Sequence, residues 1–308
     1  MSFNDLASLL DAATSRFTTL MSDIHAEGRT ARVVFTGGTA GIALLERLAG
    51  EDIDWSRVEV FFGDERNVPA DHPDSNEGQA RAALLSKVDI PEENIHGYGL
   101  DGGPMDAAVE RYRKLVGDGG FDLHLLGMGG EGHINSLFPH TDAVRERDAM
   151  VVAVTDSPKP PAERATLTLP AVQSADRVWL LVSGAEKAEA ASHAGDGAEA
   201  ADDWPVAGAI GRKETVLFAT KDATGPFWLR ACLDRVGLNQ IQADDAEDPD
   251  QGQQHGDAVE VLLHRGRTGQ VCLDAAAEQA GQAAALTLVE QDEDGHEDRG
   301  DHQHNLKG

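Results

Sequence analysis

The stretch "ARVVFTGGTAGIALLERLA" (residues 31–49) contains the pattern from which the fold can be inferred. Residues 31–36 are rich in apolar and β-branched side chains, which predicts a strand, and residues 40–49 carry apolar side chains at helical spacing. Two glycines, Gly37 and Gly38, join these segments. A strand that passes through a tight turn directly into a helix is the building unit of a parallel α/β sheet.

The same alternation of strand and helix extends outward from this unit. Helical patterns occupy 105–116 and a segment that begins at Ser75, and the first segment is a helix with a periodic apolar set: Leu6, Leu9, Leu10, Ala13, Phe17, Leu20, Met21 and Ile24. Six strands are predicted, at 31–36, 57–63, 121–127, 149–155, 177–184 and 214–220. We therefore predict a doubly wound, mostly parallel, Rossmann-like α/β sheet, with the site outside the carboxyl ends of its strands.

The alternation stops near Thr224. Residues 225–308 contain 17 Asp+Glu and 6 Lys+Arg, in stretches such as "IQADDAEDPDQGQQHGD" and "EQDEDGHEDRGDHQH". This composition is typical of a solvated segment that cannot bury a core. We predict a single catalytic domain over 1–223 and an acidic, Ala/Gln/His-rich, largely disordered tail over 224–308.

Charge and composition restrict the partners. The chain of 308 residues has 26 Lys+Arg against 54 Asp+Glu, a net charge of −28, which argues against nucleic acid and anionic membranes. The start lacks the order of a signal peptide, and no apolar run is long enough to cross a bilayer, so we expect a cytoplasmic protein. Only Cys232 and Cys272 are present, which argues against a disulfide framework. An anionic substrate would need a local basic pocket.

The turn "FTGGTAG" (35–41) is the first candidate anion site. Gly37, Gly38 and Thr39 open a helix, and free N–H groups at a helix start attract anions. The alternative is a tight turn in which Thr39 caps the helix. Neither a Walker loop nor a G-x-G-x-x-G pattern is present, so no nucleotide is implied.

Three cations occupy candidate loops. Arg66, in "FFGDERNVPADHPDSN" (61–76), follows an apolar strand and could bind a phosphate bidentately, or could pair with neighbouring acids at the surface. Arg164 follows the proline-dense "SPKPP" at 157–161, which could aim it or leave it at the surface. Lys187 opens a helix, where its charge opposes the helix dipole unless an anion binds.

The stretch "GMGGEGHINSLFPH" (127–140) carries the candidate base. His133 lies after a strand, where an imidazole can act as a general base near neutral pH, and Glu131 could orient it. A metal site would need further ligands at suitable spacing, so no metal is predicted. We expect His124 to be a core or edge residue of the strand before this stretch, and His140 to be exposed.

Five motifs together resemble the 6-phosphogluconolactonase family, within the glucosamine-6-phosphate isomerase/6-phosphogluconolactonase superfamily. They are "GGT" at 37–39, "GDERNVPADHPDSN" at 63–76, "LLGMGGEGHINSLFPH" at 125–140, "ERATLTLP" at 163–170 and "SGAEK" at 183–187. The resemblance covers roughly residues 1–220. It implies hydrolysis of 6-phospho-D-glucono-1,5-lactone without metal or organic cofactor. We expect a sugar phosphate as partner and a monomer or weak homo-oligomer.

The resemblance also implies roles for single residues. His133 would be the general base, supported by Glu131, where the family often has Asp and this chain has a carboxylate one methylene longer. The residues that would bind substrate or its phosphate are Arg66, Lys187, Arg164, Gly37, Gly38 and Thr39. Two alternatives remain open. Glucosamine-6-phosphate deaminases of the same fold have an Asn-Glu-Pro type sequence in place of "NSLFP", and a non-catalytic sugar-phosphate-binding protein would lack turnover.

Overall fold

The structure is a computed structural model that describes residues 1–224; the predicted tail lies outside the described residues. The strands are β1 (Ser2–Phe3), β2 (Ala31–Phe35), β3 (Val58–Phe62), β4 (Asp64–Arg66), β5 (Ile95–His96), β6 (Phe121–Leu126), β7 (Val151–Val154), β8 (Arg164–Leu167), β9 (Ala175–Val182) and β10 (Glu214–Thr220). The α-helices are α1 (Leu6–Ala26), α2 (Gly38–Leu48), α3 (Asn76–Ala80), α4 (Asp106–Val116), α5 (Asp142–Arg145), α6 (Leu169–Gln173) and α7 (Ala188–Ser192). A π-helical turn, Arg81–Leu85, extends α3.

The main sheet has seven strands in the order β1-β10-β9-β6-β2-β3-β5, and every neighbouring pair is parallel. From β2 the chain first builds outward through β3 to β5. It then returns to the other side of β2 and builds outward through β6, β9 and β10. The order therefore reverses between β2 and β6, which confirms the predicted doubly wound, mostly parallel fold. In such sheets a crevice opens at this reversal, beyond the carboxyl ends of the strands.

The core follows the predicted apolar pattern. All six residues of β6 are buried, as expected for a central parallel strand covered on both faces. Helix α1 begins at the cap Asp5, whose carboxylate accepts the Ser8 N–H at 2.8 Å. Its buried face includes every predicted apolar position except Leu6, which is half-buried. Both edge strands of the main sheet, β1 and β5, have two residues.

A second, antiparallel sheet of three strands has the order β4-β8-β7. The predicted strand at 149–155 exists as β7 but belongs to this sheet, so its assignment to the parallel sheet was wrong. The acidic and basic residues after β3, predicted as a strand end, form β4, where Arg66 is the register partner of Arg164. Gly63 connects the two sheets, because its N–H donates to the Phe35 carbonyl and its carbonyl accepts from the Leu167 N–H at 2.7 Å.

Across residues 1–224, no helix has both the length and the apolar character that a membrane crossing requires.

Candidate active site

The candidate site lies at the carboxyl ends of β2, β3, β6 and β9, which are adjacent in the main sheet. At the reversal point, the Gly127 N–H after β6 donates to the Thr36 hydroxyl after β2 at 3.0 Å. Two buried tyrosines fix the end of β3. The Tyr112 hydroxyl bonds both the N–H and the carbonyl of Phe62, at 2.7 and 2.9 Å, and its ring stacks on Tyr98. Contacts within the protein therefore fix the positions of these strand ends.

His133 lies in the loop after β6, and its Nδ1 is 3.0 Å from Glu131 Oε1. The Lys159 ammonium is 2.8 Å from the same Glu131 oxygen and 3.3 Å from His133 Nδ1. The predicted histidine–carboxylate pair is therefore present, and a lysine that the sequence did not indicate joins it. Glu131 Oε1 thus lies within hydrogen-bonding distance of both the ammonium and the imidazole, so the carboxylate can orient the ring.

The imidazole of His133 stacks on the buried ring of Phe138, with centroids 4.6 Å apart. Burial and then the charge of Lys159 lower the pKa of His133 below its ordinary value, while Glu131 and Asp64 act in the opposite direction. Burial alone would raise the pKa of Glu131, but the hydrogen bond from Lys159 lowers it overall. The pair is thus biased toward a neutral imidazole beside an ionised carboxylate, the state that a general base needs.

The glycines of this loop allow the histidine to approach its own turn. A Cβ at Gly129 would lie 2.1 Å from His133 Nδ1 and 2.6 Å from Glu131 Oε2, so a side chain at this position would displace the pair. Gly132 has φ +79° and donates its N–H to the Gly129 carbonyl. The sequence "GMGGEGH" is therefore a compact turn that presents His133.

Beneath this turn lies Asp64, the first residue of β4. Its Oδ2 accepts from the Ser136 hydroxyl at 2.6 Å, and its Oδ1 accepts from the Asn76 amide at 3.0 Å. Arg164 Nη1 lies 4.0 Å from the same Oδ2. Asp64 therefore links the loop of His133 to the small sheet.

Asn76 connects Arg66 with the turn after β2. Its side-chain oxygen accepts from Arg66 Nη1 at 3.2 Å, and the same guanidinium nitrogen donates to the Asp74 carbonyl at 2.7 Å. A Cβ at Gly37 would lie 2.2 Å from this Asn76 oxygen, so the glycine is needed for the close approach. Helix α2 begins at Gly38 with Gly37 as its cap, so the alternative in which Thr39 caps the helix was wrong. No side chain caps this end, and Gly38 and Thr39 are exposed.

Glu65, between Asp64 and Arg66, anchors the loop that carries Asn76. Its buried carboxylate accepts from the Ser75 hydroxyl and from the backbone N–H groups of Arg66, Asn76 and Glu77, all at 2.8–2.9 Å. Burial raises the pKa of Glu65 against the opposing effect of these donors. The surface self-pairing considered for these charges therefore does not describe Glu65, which is 4% exposed.

Arg164, predicted to face substrate, is 5% exposed and reaches back to the proline-dense loop. Its guanidinium donates to the carbonyls of Lys159, Pro160 and Pro161 at 3.0, 3.2 and 3.1 Å. Burial lowers the pKa of Arg164. In this structure Arg164 fixes the loop that carries Lys159.

Lys187 ends a 3-10 turn, Ala185–Lys187, directly before α7. Within residues 1–224, its ammonium makes no ion pair or hydrogen bond. The turn adjoins the loop of His133, because a Cβ at Gly130 would lie 3.1 Å from the Glu186 carbonyl. The predicted residues thus lie in segments that follow the carboxyl ends of the parallel strands or in the small sheet beside them, with Arg66 and the Gly37 turn on the β2–β3 side and Lys187 after β9.

Sequence reasoning missed Lys159 and Phe138 as parts of this site, and it placed Asp64 at the same edge of the sheet without giving it a role. Phe138 carries no polar signal, although it follows His133 by five residues and packs under its ring. "SPKPP" did carry a signal, since its prolines indicated a rigid loop that aims a cation. The cation beside His133 is Lys159, inside that loop, and Arg164 holds the loop from behind.

The fold and the site define a class of protein, a doubly wound α/β protein with a histidine–carboxylate pair at the reversal point of its sheet. The family model of glucosamine-6-phosphate isomerases/6-phosphogluconolactonase matches residues 4–218, and the chain belongs to this family.

Individual relatives agree with this assignment. A 6-phosphogluconolactonase of Mycobacterium tuberculosis is 48% identical over 235 residues, which cover 72% of this chain and 95% of the relative. The corresponding protein of Mycobacterium leprae is 46% identical at the same coverage. Among solved structures, a 6-phosphogluconolactonase of Thermotoga maritima matches with a TM-score of 0.64 and 29% sequence identity. The match covers 72% of this chain and 98% of the Thermotoga chain.

Proposed function

We propose that this chain hydrolyses 6-phospho-D-glucono-1,5-lactone to 6-phospho-D-gluconate, the lactone step in the oxidative branch of the pentose phosphate pathway. The family and the names of its relatives, which are 46–48% identical, support this substrate. The observation that carries the chemistry is the 3.0 Å contact between His133 Nδ1 and Glu131 at the reversal point of the sheet. Lactone opening is acyl transfer to water, which requires a positioned base.

In the proposed mechanism, the Nδ1–H of His133 donates to Glu131, and Nε2 takes a proton from water. The water oxygen attacks the lactone carbonyl carbon, and the bond from that carbon to the ring oxygen then breaks. The imidazolium returns its proton to the ring oxygen, which becomes a hydroxyl. The new carboxylic acid ionises at neutral pH, so each turnover releases one proton.

The phosphate is proposed to bind away from the base, at Arg66, Lys187 and the turn Gly37–Thr39. Three observations support this: Arg66 adjoins Gly37 through Asn76, the start of α2 has no side-chain cap, and Lys187 has no ion-pair partner within residues 1–224. Binding energy from a remote phosphate can orient the ring at the carbonyl. Arg164 is proposed as a further cation that supports the substrate site through its loop.

The decisive experiment follows proton release from freshly prepared lactone with a pH indicator, after subtraction of the spontaneous rate. We expect acceleration by the full chain at catalytic concentration. Release of ammonia from glucosamine 6-phosphate without faster lactone opening would instead assign the deaminase activity. Sugar-phosphate binding with neither reaction would assign a binding protein.

The phosphate assignment has its own test. Arg66→Ala and Lys187→Ala are each expected to raise KM at least about tenfold, because each removes a charge-assisted contact. Lys114→Ala is the matched control, since Lys114 is 75% exposed on α4. If neither variant weakens binding, the phosphate lies elsewhere.

We also propose that the enzyme works in the cytoplasm as a monomer or weak homo-oligomer. Its net charge of −28 argues against nucleic acids and anionic membranes as partners. Light scattering after size exclusion would test the oligomeric state, and a stable assembly at nanomolar concentration would contradict it.

A further inference from the structure

The loop between β7 and β8 brings one ammonium to the histidine–carboxylate pair. Three atoms lie close together: Lys159 Nζ, Glu131 Oε1 and His133 Nδ1. The carboxylate oxygen is 2.8 Å from the ammonium and 3.0 Å from the imidazole nitrogen, and the two nitrogens are 3.3 Å apart. Lys159 follows His133 by 26 positions in the sequence. It lies between β7 and β8, whereas the loop of His133 lies between β6 and α5.

The chemistry of the three groups decides which proton lies where. An ammonium only donates, a carboxylate only accepts, and a neutral imidazole carries its proton on one of two nitrogens. If Nδ1 is protonated, it donates to Glu131, and Nε2 keeps a lone pair for water. If Nδ1 is bare, Lys159 can donate to it, Nε2 carries the proton, and the ring cannot act as a base.

The geometry favours the first arrangement. His133 Nδ1 lies closer to the Glu131 oxygen, at 3.0 Å, than to the Lys159 ammonium, at 3.3 Å. Lys159 in turn lies closest to Glu131, at 2.8 Å, so one of its three N–H groups can donate to the carboxylate and leave His133 Nδ1 free to donate to the same group. Within residues 1–224, no group hydrogen-bonds to His133 Nε2. We propose that Lys159 is a positioning residue that holds Glu131 and thereby fixes His133 in the tautomer whose Nε2 accepts the proton of water.

The backbone around Lys159 is built to hold it there. Its carbonyl accepts from the buried guanidinium of Arg164 at 3.0 Å and from the Ser157 hydroxyl at 3.0 Å. Its ammonium lies 5.9 Å from the centre of the Phe138 ring, on which His133 stacks. Histidine and lysine therefore share one aromatic support, and Arg164 acts on the pair through the loop.

Lys159 also sets the charge balance at the base. The charged groups that act on His133 are Lys159, Glu131 and Asp64, and the two carboxylates favour the protonated ring. Lys159 offsets them, so the ring stays neutral to lower pH. The proposal rests on the proposed lactone hydrolysis for its effect on turnover, whereas the state of the imidazole can be measured without substrate.

The test uses the full chain labelled with ¹⁵N-histidine, with the His133 signal assigned by comparison with His133→Ala. We expect the neutral ring to be the Nδ1–H tautomer in the wild type. In Lys159→Met the pKa of His133 should rise by about one unit, because the offsetting charge is lost. Lys159→Arg should keep it close to the wild-type value. Glu131→Gln should lower it, since the carboxylate acts in the opposite direction.

Kinetics supply the second measurement. Lys159→Met should move the acid limb of the kcat profile to higher pH by the same amount and lower the plateau kcat about tenfold, with KM nearly unchanged. Lys114→Met, at an exposed lysine, is the matched control.

A wild-type Nε2–H tautomer, or equal His133 pKa values in Lys159→Met and the wild type, overturns the proposal. A rise in KM alone would instead make Lys159 a substrate contact. Absence of lactone hydrolysis by the wild type would refute the proposed function and leave the titration result intact.

Discussion

The imidazole of His133 is stacked on Phe138 and contacts Glu131 through Nδ1, so in the proposed tautomer Nε2 is the basic atom. In the proposed mechanism that atom takes the proton of water. We therefore expect His133→Ala to lower kcat at least about hundredfold. His140→Asn is a suitable control, because His140 is 61% exposed and asparagine tolerates its positive φ. The check is lactone turnover with circular dichroism of both variants, and wild-type turnover in His133→Ala would exclude it as the base.

The direction of the His133 pKa predicts the pH dependence. The base must be neutral, so kcat/KM should fall as pH decreases through this pKa. Because burial and Lys159 lower the pKa below its ordinary value, the midpoint of the acid limb should lie below about 6.5. The measurement is kcat/KM between pH 4.5 and 7.5 at constant ionic strength, set to about 0.1 M. A midpoint above the ordinary value would mean that the carboxylates Glu131 and Asp64 dominate.

At the scale of single residues, the sequence predicted the pair but not its third member. Glu131 and His133 are two positions apart, so a local turn is enough to bring them together. Lys159 reaches them only because β7 and β8 fold its loop over the site and Arg164 holds the backbone. Contacts of this kind depend on tertiary packing, which one sequence does not encode in its spacing.

At the scale of elements, the turn after β6 makes a sharp prediction. A Cβ at Gly129 would lie 2.1 Å from His133 Nδ1, so Gly129→Ala should separate the ring from Glu131. We expect kcat to fall at least about tenfold while the fold is retained, since the change is confined to a loop. Gly50→Ala serves as the control, because its Cβ would meet only the Arg47 carbonyl at 3.6 Å. Equal activity of the two variants would show that the turn adapts.

The strands illustrate what periodicity can and cannot determine. Five of the six predicted strands lie in the parallel sheet, because buried parallel strands are continuous apolar runs. Residues 149–155 have the same apolar character, but their partner β8 runs antiparallel in the second sheet. Strands β1 and β5, with two residues each, are too short for any periodic signal. Composition therefore identifies strands, whereas pairing is decided by the fold.

At the scale of the whole molecule, all proposed site residues lie within the described part of the chain, and the family match ends at residue 218. We therefore expect a chain ending at Thr224 to keep kcat/KM within about twofold of the full length. The comparison needs both proteins at equal concentration, with thermal unfolding measured in parallel. A large loss of activity with an unchanged unfolding temperature would mean that later residues take part in catalysis.

The pairing of β1 with β10 has a consequence for the time course of folding. Ser2 and Phe3 pair with Ala219 and Thr220, so this edge of the sheet closes only after β10 has been synthesised. The other five strands of the main sheet all precede β10 in the chain, so they can pair before this last edge is added. Because residues so far apart in the sequence must meet, we expect the pairing of β1 with β10 to be a late and slow step of folding.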